Sequence, residues 1–150
     1  MVFAATKHHV ELLRMVLARY NYDPCYIYSS MDPFARKMMI SRFRHESDDP
    51  SKVSNLLITT DIAARGIDIP LLDAVVNYHF PSKAKLFVHR VGRVARAGRA
   101  GVAYSLVSNE EMPYLLDLFV FLGRQLSYCT DDDEKWDGKL GKDQLYLIFI

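Results

Sequence analysis

Leu56-Leu57-Ile58-Thr59 runs directly into Thr60-Asp61-Ile62-Ala63-Ala64-Arg65-Gly66-Ile67-Asp68-Ile69-Pro70, and this junction decides the fold. The first four residues carry no charge and suit a short strand covered on both faces, as in a parallel sheet. The string that follows gathers polar groups where that strand ends. Open parallel sheets bind their ligands at the carboxyl ends of strands. Thr60, Arg65 and the backbone amides there suit a nucleic-acid phosphate, and Asp68 suits the hydroxyls of a ribose. The plainer reading of Thr60-Asp61 is helix capping, and a short helix is expected at Asp61 to Arg65.

Working outward, strand-like and helix-like segments alternate. Val2 to Ala5 reads as a strand, and Thr6 then caps a helix to about Tyr20 with Val10, Leu13, Met15 and Leu17 as its apolar positions. Cys25 to Tyr28 reads as a second strand. Asp32-Pro33 opens a helix in which Phe34, Met38, Met39 and Phe43 recur at helical spacing. A polar loop, Glu46 to Ser51, precedes the Leu56 strand. Ala74 to Tyr78 is a fourth strand, Ser82 caps a helix towards Gly92, Val102 to Val107 is a fifth strand, and Asn109 to Leu122 is a helix with an early Pro113. The order predicts an α/β fold, a mostly parallel sheet with helices on both faces. Its ligand-binding loops are those after Ala5, Tyr28, Thr59 and Tyr78. Residues 1–127 are expected to form the domain. Residues 128–150, with the acidic run Asp131 to Glu134 and the apolar end Leu145 to Ile150, are expected to be an extension.

Composition narrows the class. The chain has 150 residues, half of them apolar, which suits one domain with a real core. The formal net charge is +1, so only a local charge argument for nucleic acid can succeed. Cys25 and Cys129 read as two reduced thiols, since a zinc site needs more ligands at closer spacing. Neither a charged-then-apolar leader nor an apolar run of about 18 residues is present, so neither a secreted nor a membrane-spanning chain is expected. A core strand directly after Met1 gives the expectation of a piece of a longer protein.

The local charge argument lies between Ala74 and Asn109, a span without an acidic residue that holds Lys83, Lys85, Arg90, Arg93, Arg96 and Arg99. One reading is a solvated basic face. The other is a phosphate-gripping surface. Gly92, Gly98 and Gly101 interleave with the arginines, and a helix over Phe87 to Arg96 puts His89, Arg93 and Arg96 on one side. Planar guanidinium groups grip phosphate oxygens bidentately. A self-sufficient nucleotide site is not expected. Gly138-Lys139-Leu140-Gly141-Lys142 lacks the spacing, the hydroxyl and the preceding strand of a phosphate loop. The arginines therefore suit a phosphate held elsewhere, as an arginine finger does.

These strings resemble the C-terminal lobe of the DEAD-box ATP-dependent RNA helicases. Thr60 to Asp68 resembles motif V of that family, and His89-Arg90-Val91-Gly92-Arg93-Val94-Ala95-Arg96-Ala97-Gly98-Arg99 resembles motif VI. Phe3-Ala4-Ala5-Thr6 looks like motif IV, Arg36 stands where motif IVa has its arginine, and Val76 to Pro81 looks like the segment joining V to VI. The resemblance covers roughly Met1 to Gln125. It implies a RecA-like fold with ATP between two lobes, the partner being an N-terminal RecA-like lobe that carries the phosphate loop and the ligands of Mg2+. It further implies Arg93 and Arg96 as fingers on ATP, His89 as the coupling residue, Asp68 and Gly66 at the nucleotide, and Thr6, Arg36, Thr60 and Arg65 on RNA. Three departures stand out: Val94-Ala95 where the family has Thr-Gly, Pro33 where motif IVa often has glutamine, and His79 where aspartate is common.

Tyr28-Ser29-Ser30, the motif VI string, Pro113 to Leu118 and Asp137 to Lys142 are similar to the nucleolar branch of the family, that of human DEAD-box protein fifty-four and yeast Dbp ten. That branch implies large ribosomal subunit assembly, pre-ribosomal particles as partners, and a place in the nucleus and nucleolus. Two alternatives carry no ATPase action: an RNA-binding or docking module, and a structural lobe with a degenerate motif VI.

Overall fold

A computed structural model describes residues 1–44, 54–69, 72–94 and 101–123, and the backbone of 144–149. Strand β1 (Val2–Phe3) leads to helix α1 (Lys7–Arg19), β2 (Cys25–Ile27), α2 (Pro33–Phe43), β3 (Leu57–Thr59) and the short α3 (Asp61–Ala64). Then come β4 (Ala74–Asn77), α4 (Ala84–Val91), β5 (Val102–Val107), a 3-10 turn (Asn109–Glu111), α5 (Met112–Leu122) and β6 (Gln144–Phe149). The strands form one sheet in the order β2-β3-β1-β4-β5-β6, and every neighbouring pair is parallel.

Alternation across β3 explains how both faces are covered. Leu57 points into a cluster with Cys25, Ile27 and Val75 that α2 and α3 close with Phe43, Ala63 and Ala64. Ile58 points the other way, onto Val10 of α1, with Leu13 and Leu17 beside it. Phe87 of α4, Val107, and Leu115 and Leu118 of α5 form a third cluster. Within the strands read from the sequence, Phe3, Leu57, Ile58 and Val75 are buried and Val76 is half-buried. The Cys25 thiol is fully buried, and burial raises its pKa. Cys129 lies outside the described residues.

The local signals for helix starts differ in outcome. Thr6 caps α1, its Oγ1 accepting from the His9 amide at 3.4 Å. Asp32 caps α2, with Oδ1 accepting from the Phe34 and Ala35 amides at 3.0 Å each. Ser82 does not cap α4: the N-cap is Lys83, without a side-chain bond. That helix also ends at Val91 rather than reaching Arg96, because Gly92 takes the C-cap and Val94 pairs instead with Leu72. A Cβ at Gly92 would sit 3.0 Å from the Val88 carbonyl, so its smallness serves this helix end.

Gln144–Phe149 adds an edge strand alongside β5, from Val102↔Gln144 to Val107↔Phe149. The boundary expected near Ser127 and the polar loop Glu46 to Ser51 fall outside the described residues. Among the described residues no helix is long and apolar enough to cross a membrane.

Leu57 is 1% exposed at the centre of the largest cluster. Leu57→Ala is expected to lower stability by about 3 kcal/mol, through lost burial and the cavity left behind. Leu12→Ala on the open side of α1, where Leu12 is 50% exposed, is expected to cost less than about 0.5 kcal/mol. Urea unfolding of the two variants checks the difference.

Candidate functional site

The carboxyl ends of β1, β3 and β4 are tied together by one buried guanidinium. Arg90 of α4 is 2% exposed. Its Nε and Nη2 each donate to Asp61, at 2.7 Å, in a bidentate pair. Its Nη1 donates to Asn77 Oδ1 at 2.9 Å and to the His79 carbonyl at 2.8 Å. The guanidinium also lies over the Phe3 ring, 4.9 Å from its centre. Asn77 in turn donates to Ser105 Oγ at 2.9 Å, which carries the network to β5.

This corrects two sequence readings. Asp61 is more than a capping residue, since its carboxylate receives Arg90. Arg90 is no part of an exposed basic surface. On α4 it falls three residues after the buried Phe87, on the core side. Its neighbour His89 is exposed. The spacing Phe87, Arg90, Val91, Val94 was the available signal for an inward arginine.

The expected nucleotide and RNA residues fall into three groups around this network. Arg36, Gly66 and Asp68 line one groove of about 410 Å³ with Pro33, Lys37 and Arg44. Arg36 Nη2 donates to the Ala63 carbonyl at 2.7 Å, which fastens α2 to the loop after β3. Gly66 has φ +70, a left-handed conformation that side chains rarely adopt. Asp68 presents a 97% exposed side chain, while Arg44 Nε donates to its carbonyl at 2.9 Å.

Arg65 and His89 line a second groove, of about 430 Å³, with Ser82, Lys83, Lys85 and Leu86. Arg93 Nη2 lies 3.0 Å from His89 Nε2. Arginine only donates, so this bond requires the His89 proton to sit on Nδ1. Arg96 lies outside the described residues, so its place on the His89 and Arg93 face is not described.

Thr6 stands apart from both grooves. Its exposed hydroxyl is 2.9 Å from His9 Nδ1, and the His9 and His79 rings lie 4.2 Å apart. The Ala5 amide donates to His79 Nδ1 at 3.3 Å. Thr60 is 8% exposed at the end of β3, ahead of α3. Sequence reasoning also missed Glu111, whose Oε1 accepts from the Phe80 amide and whose Oε2 accepts from the Ser108 amide, at 2.9 and 3.0 Å. A Ser-x-x-Glu spacing was its signal.

Residues 1–98 match the family model of the helicase conserved C-terminal domain. The chain belongs to that family. The Escherichia coli DEAD-box protein SrmB, in its crystal structure with regulator of ribonuclease activity A, superposes at a TM-score of 0.75 with 32% identity. That match covers 88% of this chain and 74% of SrmB's, which makes this a DEAD-box helicase C-terminal domain. The mouse ATP-dependent RNA helicase DDX54 is 54% identical over 133 residues, and dbp10 of Emericella nidulans is 53% identical over 133. The chain spans 14% of the length of each of these relatives. Saccharomyces cerevisiae Dbp5 bound to RNA and ADP BeF3 gives a TM-score of 0.71 at 26% identity, over 99% of this chain and 34% of that one.

The domain's integrity is expected to depend on Arg90 keeping its acid. Asp61→Asn leaves a buried guanidinium short of a charge and is expected to cost about 3 kcal/mol in urea unfolding. His79 gives a pH dependence. Burial, and next the neighbouring His9, hold its pKa below the ordinary 6.5, with Glu111 opposing. The unfolded chain then binds more protons than the folded domain just below pH 6.5, so stability falls as pH drops through that value. His79→Gln is expected to flatten that part of the profile, measured as urea midpoints at pH 7.5 and 5.5.

Proposed function

We propose that this domain is the catalytic half-site of an ATP-dependent RNA helicase, working against a second, nucleotide-holding RecA-like lobe. One observation carries the reading. His89 stands exposed on α4, hydrogen-bonded to the half-buried Arg93 just past the helix end, while its neighbour Arg90 is locked to the Asp61 segment. The motif V and motif VI residues are thereby held in fixed relation, with the His89 ring turned outward beside Arg93.

ATP lies against this rim with its phosphates held by the other lobe. Asp68, exposed beside Gly66, receives the ribose hydroxyls, and the left-handed turn at Gly66 keeps the backbone open there. Arg93 and Arg96 stabilise charge developing on the transferred phosphoryl group as water attacks. His89, with its proton on Nδ1, donates to a carboxylate of the other lobe and keeps Arg93 in register through Nε2. Mg2+ would neutralise phosphate charge. Its ligands are proposed on the other lobe, as the family resemblance implies.

RNA is gripped by its backbone, through Thr6, Arg36, Thr60 and Arg65. Sequence preference is accordingly weak. The identity to DDX54 and dbp10 supports placing the parent protein in the same branch. The branch likeness in motif VI supports a role on pre-ribosomal particles in the nucleolus, in large-subunit assembly.

In the two-lobe protein, Arg93→Ala and Arg96→Ala are each expected to lower ATPase turnover about 10²-fold with little change in RNA affinity. Single arginine fingers are worth roughly 10³–10⁵, and two here share the charge. Lysine is expected to rescue neither, lacking the planar fork. Steady-state ATPase at saturating RNA, beside RNA affinity measured separately, checks this. Arg99→Ala as the most damaged variant, with Arg93→Ala near wild type, would overturn the assignment.

A further inference from the structure

Past the last ladder bonds of β1, the chain is held by an imidazole. The Tyr78 and His79 amides donate to the Phe3 carbonyl at 3.0 and 3.4 Å, and on the other side of β1 the Ala4 amide donates to the Thr59 carbonyl at 2.9 Å. The next amide, that of Ala5, donates to a side chain instead: His79 Nδ1 accepts it at 3.3 Å. Thr6 follows at once with its hydroxyl exposed. The half-buried His79 is itself fixed from three directions. Arg90 Nη1 donates to its carbonyl at 2.8 Å, and its ring centre lies 4.2 Å from that of His9 and 5.0 Å from that of Tyr78.

Only a ring nitrogen without a proton accepts an amide hydrogen, so the neutral His79 ring carries its proton on Nε2. A second proton, on Nδ1, sets a donor against a donor and the bond is lost. The charged and titratable groups around the ring are His9 from α1, Arg90 from α4, Glu111 from the 3-10 turn and the adjoining Tyr78. Burial first, and then His9, disfavour the charged ring; Glu111 opposes them and Arg90 adds to them. The accepting form therefore prevails at neutral pH. Aspartate, common in the family at this place, also offers an acceptor but keeps it down to about pH 4.

We propose that His79 is a positioning residue for RNA: it holds the Ala5–Thr6 turn in the shape that presents the Thr6 hydroxyl to a phosphate, and it releases the turn when Nδ1 takes up a proton. This rests on the reading of Thr6 as an RNA contact. Release weakens that contact in acid. Ordinary charge works in the opposite direction, since protonated His8, His9 and His89 attract phosphate more strongly.

The test measures the affinity of the two-lobe protein for a short fluorescent oligouridylate, with a non-hydrolysable ATP analogue at saturation, at pH 7.5 and 5.5. Circular dichroism at each pH confirms that folded protein is being read. His79→Asn puts a carbonyl oxygen one bond beyond Cγ, where Nδ1 stands, and does not titrate. His79→Leu has no acceptor. At pH 7.5 His79→Asn is expected to bind within about twofold of wild type and His79→Leu about fivefold more weakly, the order of one hydrogen bond. At pH 5.5 wild type is expected to fall about threefold behind His79→Asn, most of the same bond being lost. The variants share every other histidine, so the remaining titrations cancel in that ratio. A ratio that stays constant, or that moves in favour of wild type in acid, would overturn the release, and His79→Leu binding like wild type at pH 7.5 would overturn the positioning role. Thr6→Ala is expected to weaken RNA binding at both pH values, and no change there would instead overturn the RNA reading on which the proposal rests.

Discussion

Arg90 is charged at any physiological pH, and the fold leaves it 2% exposed. A guanidinium in that position is tolerable only if its donors meet acceptors of fixed geometry. Asp61 supplies both carboxylate oxygens, Asn77 a side-chain oxygen and His79 a carbonyl. These acceptors come from the start of α3, from β4 and from the loop after it. The start of α3, the end of β4 with its loop, and α4 itself are thus required to meet at one point, and the rest of the rim takes its position from there.

What the rim presents follows from helix geometry. Residues 89 and 90 are neighbours in sequence but point about 100° apart on a helix. Satisfying Arg90 inward turns His89 outward, and Arg93 meets it one turn later. The loop after α3 is held on its other side, where Arg36 bonds to the Ala63 carbonyl and Arg44 to Asp68. The rim is therefore rigid where it is buried and cationic where it is open. Such a surface suits the proposed role, in which another body carries the phosphate.

The parallel sheet was legible because its strands are short apolar runs separated by helical spacing. Thr6 and Asp32 were legible as caps because capping is decided within three residues. Ser82 failed because a hydroxyl before a helix says nothing about where the first turn closes, and Lys83 took the cap. The end of α4 near Gly92 was legible, whereas a helix over Phe87 to Arg96 did not form because the backbone turns after Gly92 to pair Val94 with Leu72. Arg90 was the main loss in the candidate site. A run of cations reads as a surface, and only the tertiary contact with Asp61 shows that one member faces the core. Edge strand β6 was passed over because strand pairing of Leu145 to Phe149 depends on β5, far off in sequence.

The central claim is that this domain supplies charge to a nucleotide it does not itself hold. RNA-stimulated ATP hydrolysis tests it most directly, measured for this chain alone and for the same chain joined to a RecA-like lobe that bears the phosphate loop. Turnover is expected only in the joined protein, with the lone chain at background with or without RNA. RNA-stimulated turnover by the lone chain that survives repurification would contradict the account.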